Sequence, residues 1–182
     1  MQRIFFLLIF LLFNLGLSSQ TSVFDLNFEF QAYPTGLIPG LKLEKGFSDR
    51  HAVSLRLGYQ YIRHRDLGVH EDERGNGYGF TLGYKYYLKP NFRGLSLGIR
   101  NDIWFNELDW KDNIDTPEEI SGTSEITVVQ PTAEATYLFP LGESWVFAPS
   151  LAFGYEINVK TEGEPVGEGA ILLIGLNFGK RF

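Results

Sequence analysis

The sequence contains no cysteine among its 182 residues. A chain without cysteine has no disulfide, no thiolate metal site and no cysteine-linked lipid. After residue 13 it also has no apolar run approaching the 18 residues that indicate a membrane-spanning helix. The mature chain must therefore be stabilised by hydrogen bonding and packing, and any membrane crossing must use a structure other than a helix.

The N-terminus has the features of a targeting segment. Arg3 precedes an unbroken apolar run over 4–13, and small residues follow at Gly16, Ser18 and Ser19. This order is typical of a cleaved secretory signal peptide. A membrane anchor is the alternative, but the run is about half of the roughly 20 residues that a spanning helix needs. We predict a signal peptide over 1–19 and one domain over 20–182.

Positive charge is in short supply. Without residues 1–19, 15 basic residues remain against 22 acidic ones, which gives a net charge of −7. Nucleic-acid phosphates attract basic surfaces, and a chain this acidic binds them poorly. Nucleic acid is therefore not an expected partner.

Apolar and polar residues alternate through most of the remaining chain. In "VFDLNFEFQAY", Phe24, Leu26, Phe28 and Phe30 share one parity, and polar residues occupy the other. No helix keeps those two sets apart, so the pattern indicates a strand. Eight such strands are predicted, over roughly 23–33, 37–47, 52–62, 78–88, 94–105, 125–139, 145–158 and 172–182. Their lengths suit tilted, membrane-crossing strands of about 9–11 residues.

Four positions do not fit the alternation. Asn101 falls on the apolar face of the fifth strand, which predicts a β-bulge there. Pro39, Pro131 and Pro149 lie inside strand segments, where each removes a donor from the hydrogen-bond ladder. We expect strand ends or bulges to accommodate the prolines.

The connections alternate in length. Short ones lie at 48–51, 89–93 and 140–144, long ones at 63–77, 106–125 and 159–168, and a shorter one at 33–36. Short turns at one end and long loops at the other are typical of outer-membrane barrels. The loop over 106–125 is acidic, and its "DTPEE" stretch predicts a short helix with Thr116 as N-cap and Pro117 first. Its acidic residues are Glu107, Asp109, Asp112, Asp115, Glu118, Glu119 and Glu125, against Lys111 alone.

The two strand faces differ in bulk. An eight-stranded barrel is only wide enough to be filled by side chains, so the bulky apolar face must look outward, into lipid. The polar face then forms a lumen charge network of Asp25, Glu29, Lys42, Glu44, Arg56, Lys85, Arg100, Asp102, Glu134 and Glu156. Mixed charges in so narrow a space predict a plugged lumen without general-porin conductance.

A soluble exported lipid-binding barrel is the alternative architecture. It would be apolar inside, so it would bury these ionisable groups or expose a continuous aromatic surface, and either is costly. Aromatic positions favour the membrane, since they fall into two bands. One band, at the short turns, contains Phe24, Tyr86, Phe92, Tyr137, Phe139, Trp145, Phe147, Phe178 and Phe182; the other contains Tyr61, Tyr78, Phe80, Phe105 and Tyr155.

The chain ends in "LLIGLNFGKRF", with Ile174, Leu176, Phe178 and Phe182 on one parity and Lys180 departing from the apolar pattern. With the signal peptide and strand pattern, this end resembles the small outer-membrane β-barrel family of Gram-negative bacteria, the OmpA transmembrane domain and OmpX type. The resemblance implies an all-β, eight-stranded, antiparallel up-and-down transmembrane barrel in the outer membrane. It also implies contact with outer-membrane lipid and lipopolysaccharide, and reading of the four apolar residues by the barrel-assembly machinery as an insertion signal. An extracellular or envelope protein partner stays undefined.

The three histidines are the candidates for chemistry, because some small barrels modify lipid A. His51 lies in a predicted turn, His70 in a long loop, and His64 at the outer rim with inward parity. A histidine base needs a nearby nucleophile such as serine, and the spacing of His51 and Ser54 is unsuitable. "HEDER" and "DWKDNID" lack the spacing of a calcium loop. We predict no catalytic residue, cofactor or metal site.

Two sharper alternatives are kept open. A lipid A-modifying enzyme remains the runner-up function. The acidic loops are interpreted as solvated surface, and divalent-ion bridging to lipopolysaccharide phosphates is the sharper hypothesis for them. The main prediction is a structural or surface-interaction role for a barrel with long acidic extracellular loops.

Overall fold

A computed structural model describes residues 23–182. The predicted signal peptide lies outside these residues. Within them, no helix has the length and apolar character needed to cross a membrane. The eight strands are β1 (Phe24–Tyr33), β2 (Gly36–Gly46), β3 (His51–Arg65), β4 (Asp72–Lys89), β5 (Arg93–Asp112), β6 (Ile120–Leu141), β7 (Trp145–Glu162) and β8 (Gly169–Arg181).

The strands form one closed barrel in sequence order. Each strand pairs with the next in antiparallel direction, and β8 pairs back onto β1. At the seam the Phe182 N–H donates to the Phe24 carbonyl at 2.8 Å. The predicted antiparallel up-and-down topology is confirmed, and no sheet edge is left along the seam.

The two faces of the sheet are assigned as the alternation predicts. On β1, Phe24, Leu26, Phe28 and Phe30 are exposed, whereas Asp25, Asn27, Glu29 and Gln31 are buried inside. The same contrast recurs around the ring, so the outer surface is a continuous apolar belt and the interior is largely polar. This arrangement is the reverse of a soluble lipid-binding barrel.

Aromatic side chains ring the apolar belt at both ends. Exposed at the short-turn end are Phe24, Tyr137, Phe139, Trp145, Phe178 and Phe182; exposed at the other end are Tyr59, Tyr61, Tyr78, Phe105 and Tyr155. The assignment of Phe92 to the lower band is wrong, because Phe92 turns inward and packs edge-on against Tyr87 at 5.3 Å. Lys180 lies 5.2 Å from the Phe182 ring, a contact that keeps its charge at the rim.

Strands β3 to β7 extend well past the upper aromatic band. The connections shrink to 66–71, 113–119 and 163–168, so much of each predicted long loop is paired strand. Pairing continues because inward residues such as Leu108 and Ile126 still pack into a core above the belt. The predicted helix at 115–119 is wrong: the segment forms turns, and the Thr116 hydroxyl accepts the Glu118 N–H at 3.2 Å.

The bulge predicted at Asn101 is also wrong. Asn101 pairs with Leu82 and Pro131 in unbroken register, and the register shifts lie instead at Tyr87/Lys89 and Thr127/Val128. Asn101 therefore stays on the outward face of a regular strand.

The three prolines lie in strand interiors, not at strand ends or bulges. Pro39, Pro131 and Pro149 each pair regularly with one neighbouring strand. On the other side, the ladder skips the proline's position and resumes in the same register. Each missing donor is thus absorbed by a local gap between two strands.

Candidate functional site

The barrel interior holds a charge network at mid-height. It contains four carboxylates and four cations: Glu29, Glu44, Asp102 and Glu134 with Lys42, Arg56, Lys85 and Arg100. All eight side chains are buried. They come from β1 to β6, because inward parity places each strand's polar residues at one level. The formal charge of the set is zero, so no uncompensated charge is buried in the middle of the barrel.

Glu29 and Arg100 are the centre of the network. Glu29 lies 3.4 Å from Arg56 and 3.6 Å from both Lys42 and Arg100. Arg100 lies 2.6 Å from Asp102 and 3.5 Å from Glu134. Each centre therefore contacts several opposite charges, which offsets the cost of removing it from water.

Neutral side chains complete the network. The Arg56 guanidinium donates to Gln31 Oε1 at 2.6 Å and lies 5.3 Å from the Trp104 ring. Lys42 Nζ donates to Asn177 Oδ1 at 2.7 Å, and the Tyr87 hydroxyl donates to Glu44 Oε1 at 2.5 Å. Side chains of β1 to β5 and of β8 are therefore bonded to one another at this level of the interior.

Two predicted members lie outside this network. Asp25 forms its own pair at the short-turn end with Arg181, at 2.8 and 2.7 Å, and sequence reasoning did not assign Arg181. Glu156 lies near the upper mouth, opposite Gly169, and makes no ion pair within residues 23–182. Alternation predicts which face of the sheet a residue lies on but not its position along the barrel axis. For this reason the sequence prediction grouped Asp25 and Glu156 with the network.

Two layers of buried apolar side chains lie in the interior, one above and one below the network. The lower layer consists of Ala52, Tyr87, Phe92, Leu138, Val146 and Ala148. The upper layer consists of Ile38, Ile62, Trp104, Leu108, Ile126, Val128, Ala152, Val166, Ile171 and Leu173. Sequence reasoning described the inward face as small and charged and missed these layers; the inward parity of Trp104 and Tyr87 was the available signal.

Two connections fold over the upper mouth and form what we call the mouth cap, residues 66–71 and 163–168. Glu73, fully buried, joins them: its carboxylate accepts the N–H groups of Val69, His70 and Gly167 at 3.0, 3.2 and 3.4 Å. Its other oxygen lies 2.7 Å from His64 Nδ1. Val166 inserts into the upper apolar layer beneath. The Glu73 carboxylate therefore ties both segments of the mouth cap to the barrel.

A second contact holds the mouth cap at His70. Its ring stacks on Trp110 with centroids 4.2 Å apart, and its Nδ1 lies 2.7 Å from Asp112 Oδ2. The other ring nitrogen lies 3.1 Å from the Pro165 carbonyl. The hydrogen bond from His70 helps to hold the pKa of the Asp112 carboxyl below its ordinary value. His70 thus links both cap segments to β5.

Each histidine has a side-chain hydrogen-bond partner within residues 23–182. His51 lies at the start of β3 and contacts the Tyr84 hydroxyl at 2.6 Å. His64 borders a cavity of about 370 Å³ with Tyr33 and Glu156, but within residues 23–182 its hydrogen-bond partner is Glu73 and not a hydroxyl nucleophile. The same residues contain no group of three or more His, Asp or Glu placed to hold a metal ion.

Acidification is expected to loosen the mouth cap. Burial raises the pKa of Glu73, but hydrogen bonds from His64, His70 and Val69 outweigh burial and hold this pKa below its ordinary value. Because the pKa of Glu73 is lower in the folded than in the unfolded protein, the ionised carboxylate stabilises the cap at pH values above the unfolded-state pKa of about 4.3. This stabilisation is lost as the pH falls through the folded-state pKa. In lipid nanodiscs titrated from neutral pH to pH ~3, NMR signals of the cap should broaden before those of the barrel.

The matched variant for this titration is Glu73→Gln. It lacks the carboxylate that joins the two cap segments, so its acidic transition should be smaller than that of wild type and limited to the His70 contact with Asp112. Wild-type cap signals that stay unchanged at the acidic limit, or an identical transition in Glu73→Gln, would contradict the assignment.

Comparison with known proteins identifies relatives by structure alone. No protein-family model matches the chain, and no curated protein matches it in sequence. The N-terminal β-barrel domain of Pseudomonas aeruginosa OprF is similar, with 19% sequence identity. The match covers 90% of this chain and 98% of that chain, with a TM-score of 0.50. A major outer membrane protein from Thermus thermophilus is 12% identical. The match covers 90% of this chain and 100% of that chain, with a TM-score of 0.51. Ail, the attachment invasion locus protein of Yersinia pestis, is 13% identical. The match covers 88% of this chain and 96% of that chain, with a TM-score of 0.50. At these identities the likeness is one of fold.

Proposed function

We propose that this chain, which has the fold of the small eight-stranded outer-membrane β-barrels, is an integral outer-membrane protein that acts through contacts of its extracellular end. The apolar belt with an aromatic band at each edge supports residence in a bilayer. Outer-membrane lipid and lipopolysaccharide are then its immediate surroundings. The barrel serves as the anchor.

The observation that carries this proposal is the set of side chains buried in the interior. A neutral, fully buried charge network lies between two apolar layers, and the mouth cap covers the upper one. An interior of this kind supports neither a pore nor an internal ligand chamber. We therefore assign the functional contacts to the surface that projects beyond the membrane.

A row of glutamates lies on the outward face of the projecting surface, on the side formed by β5, β6 and β7. Glu107 lies directly opposite Glu125, and Glu125 lies directly opposite Glu162, so three glutamates form one row across β5, β6 and β7. Like charges directly opposite each other destabilise a sheet. Lys160 pairs with Glu162 at 2.5 Å and relieves part of this repulsion. The remaining pair of like charges, Glu107 and Glu125, favours a role in contact with basic partner surfaces or cations.

The absence of pore activity is the first test. Reconstituted in planar bilayers, the protein is expected to show no stable open state, because an ion-paired network and two packed apolar layers occupy the lumen. A general porin reconstituted in the same bilayers is the positive control, because its open lumen demonstrates that the assay detects conductance.

Topology and contact are tested on intact cells. Added protease should cleave only within 66–71, 113–119 and 163–168, and the triple variant Glu107→Gln/Glu125→Gln/Glu162→Gln should bind less of a soluble polylysine probe than wild type. A large, stable conductance of the wild-type barrel, or recovery of the mature chain as a detergent-free soluble monomer, would overturn the proposal. If the triple variant and wild type bound the same amount of polylysine, the glutamate row would not be a contact surface.

A further inference from the structure

One polar side chain, Asn101, lies within the apolar belt. It occupies the outward face of β5 between Ile99 and Ile103, well inside the exposed aromatic Phe105 above it. Its cross-strand neighbours are Leu82 and Pro131. Polar residues facing hydrocarbon are costly, so such a residue needs a partner within the membrane.

The Asn101 amide has no hydrogen-bond partner within residues 23–182. Both of its neighbours across the sheet are apolar, and the side chains beside it on β5 are isoleucines. An amide carries one acceptor oxygen and an NH₂ donor group, so two asparagines facing each other satisfy each other. The chemistry of this side chain is therefore self-complementary.

A groove surrounds Asn101 on the outer surface. Its volume is about 650 Å³, and its lining includes Leu82, Tyr84, Ile99, Pro131 and Ala133. On β6 the groove is bordered by short side chains, which project little from the barrel surface. On β5, Ile99 is 67% exposed and projects at the edge of the groove. A projecting isoleucine next to a groove is the shape that a second barrel, turned by a two-fold axis, can match.

We propose that this groove is occupied by a second copy of the chain. A two-fold axis passing beside Asn101 brings the two amides together and lets the Ile99 side chains pack into the grooves of the opposite copies. The outward-parity lysines of the belt, Lys45 and Lys180, lie at the short-turn rim, so no charge opposes the approach. A lipid acyl chain would fill the same space but would leave each amide unpaired, which favours the second copy.

Cysteine crosslinking tests this interface directly, because the chain has no cysteine of its own. Ile99→Cys places a thiol at the groove rim, and Leu57→Cys on β3 is the matched control, with 64% exposure of the native side chain against 67% for Ile99. After oxidation in lipid vesicles, we expect disulfide-linked dimers of Ile99→Cys and none of Leu57→Cys above the level of random collision.

Adding Asn101→Leu to Ile99→Cys tests the amide pairing. Two reciprocal hydrogen bonds at the average value measured within membranes correspond to a roughly sevenfold lower association constant, seen as a lower dimer yield. The variant remains apolar on a lipid-facing site, and heat-modifiable migration on unboiled gels checks that it still folds. Equal crosslinking of Ile99→Cys and Leu57→Cys would overturn the proposal, as would a yield unaffected by Asn101→Leu. Monomeric Ile99→Cys with lipid retained after purification would assign the groove to an acyl chain instead.

Discussion

Replacing Arg56 by methionine is expected to lower the free energy of unfolding by about 3–5 kcal/mol. Arg56 contacts Asp102 at 3.0 Å and Glu29 at 3.4 Å, and all three side chains are buried. The substitution keeps much of the side-chain volume but leaves one negative charge unbalanced inside the barrel. Equilibrium unfolding by urea in lipid vesicles, followed by tryptophan fluorescence, measures the loss.

Two further variants separate charge balance from packing. Arg56→Met/Asp102→Leu restores a neutral network, so it should be more stable than Arg56→Met alone. Lys160→Met removes a lysine from an exposed pair with Glu162, and its effect should be much smaller than that of Arg56→Met. If Arg56→Met and Lys160→Met cost the same, charge balance in the network does not stabilise the barrel.

Replacing Glu73 by leucine should release the mouth cap. The carboxylate accepts three backbone N–H groups and contacts His64, and all of these lose their partner at once. Leaving buried donors unpaired costs about 1–3 kcal/mol each, so amide hydrogen exchange within 66–71 and 163–168 should accelerate by roughly 100-fold. Mass spectrometry of exchanged peptides resolves these two segments from the barrel.

Glu164→Leu is the control for cap release. Glu164 belongs to the same connection, but its side chain is exposed, and only its backbone carbonyl is used, by Ser124. Exchange in Glu164→Leu should match wild type. A Glu73→Leu protein with an equally protected cap would show that Val166 and the His70 contacts hold these segments without the carboxylate.

The period-2 alternation predicted most of the barrel because it reports directly on the face of each residue. Phe24 to Phe30 and the charged residues of β1 to β6 lie on the faces that parity assigns. Parity contains no information about height along the barrel axis, however. Asp25 and Glu156 therefore joined the predicted network although one pairs at the bottom and the other lies at the mouth.

Strand ends and the two apolar layers were harder to predict. The aromatic bands mark where a membrane ends, but backbone pairing has no reason to stop there when inward residues such as Leu108 can still pack. Trp104 and Tyr87 were missed because the inward parity was interpreted by charge and not by bulk. The mouth cap was beyond sequence reasoning, since the Glu73 contacts join segments nearly a hundred residues apart.

The distribution of the charge network over β1 to β6 also bears on how the barrel enters a bilayer. An incomplete sheet spanning hydrocarbon would present ionised groups from the strands already in place without the opposite charges of the missing strands. Such an intermediate is costlier than either the finished barrel or the chain still in water. The need to pair these charges therefore favours closure of the ring together with entry into the bilayer.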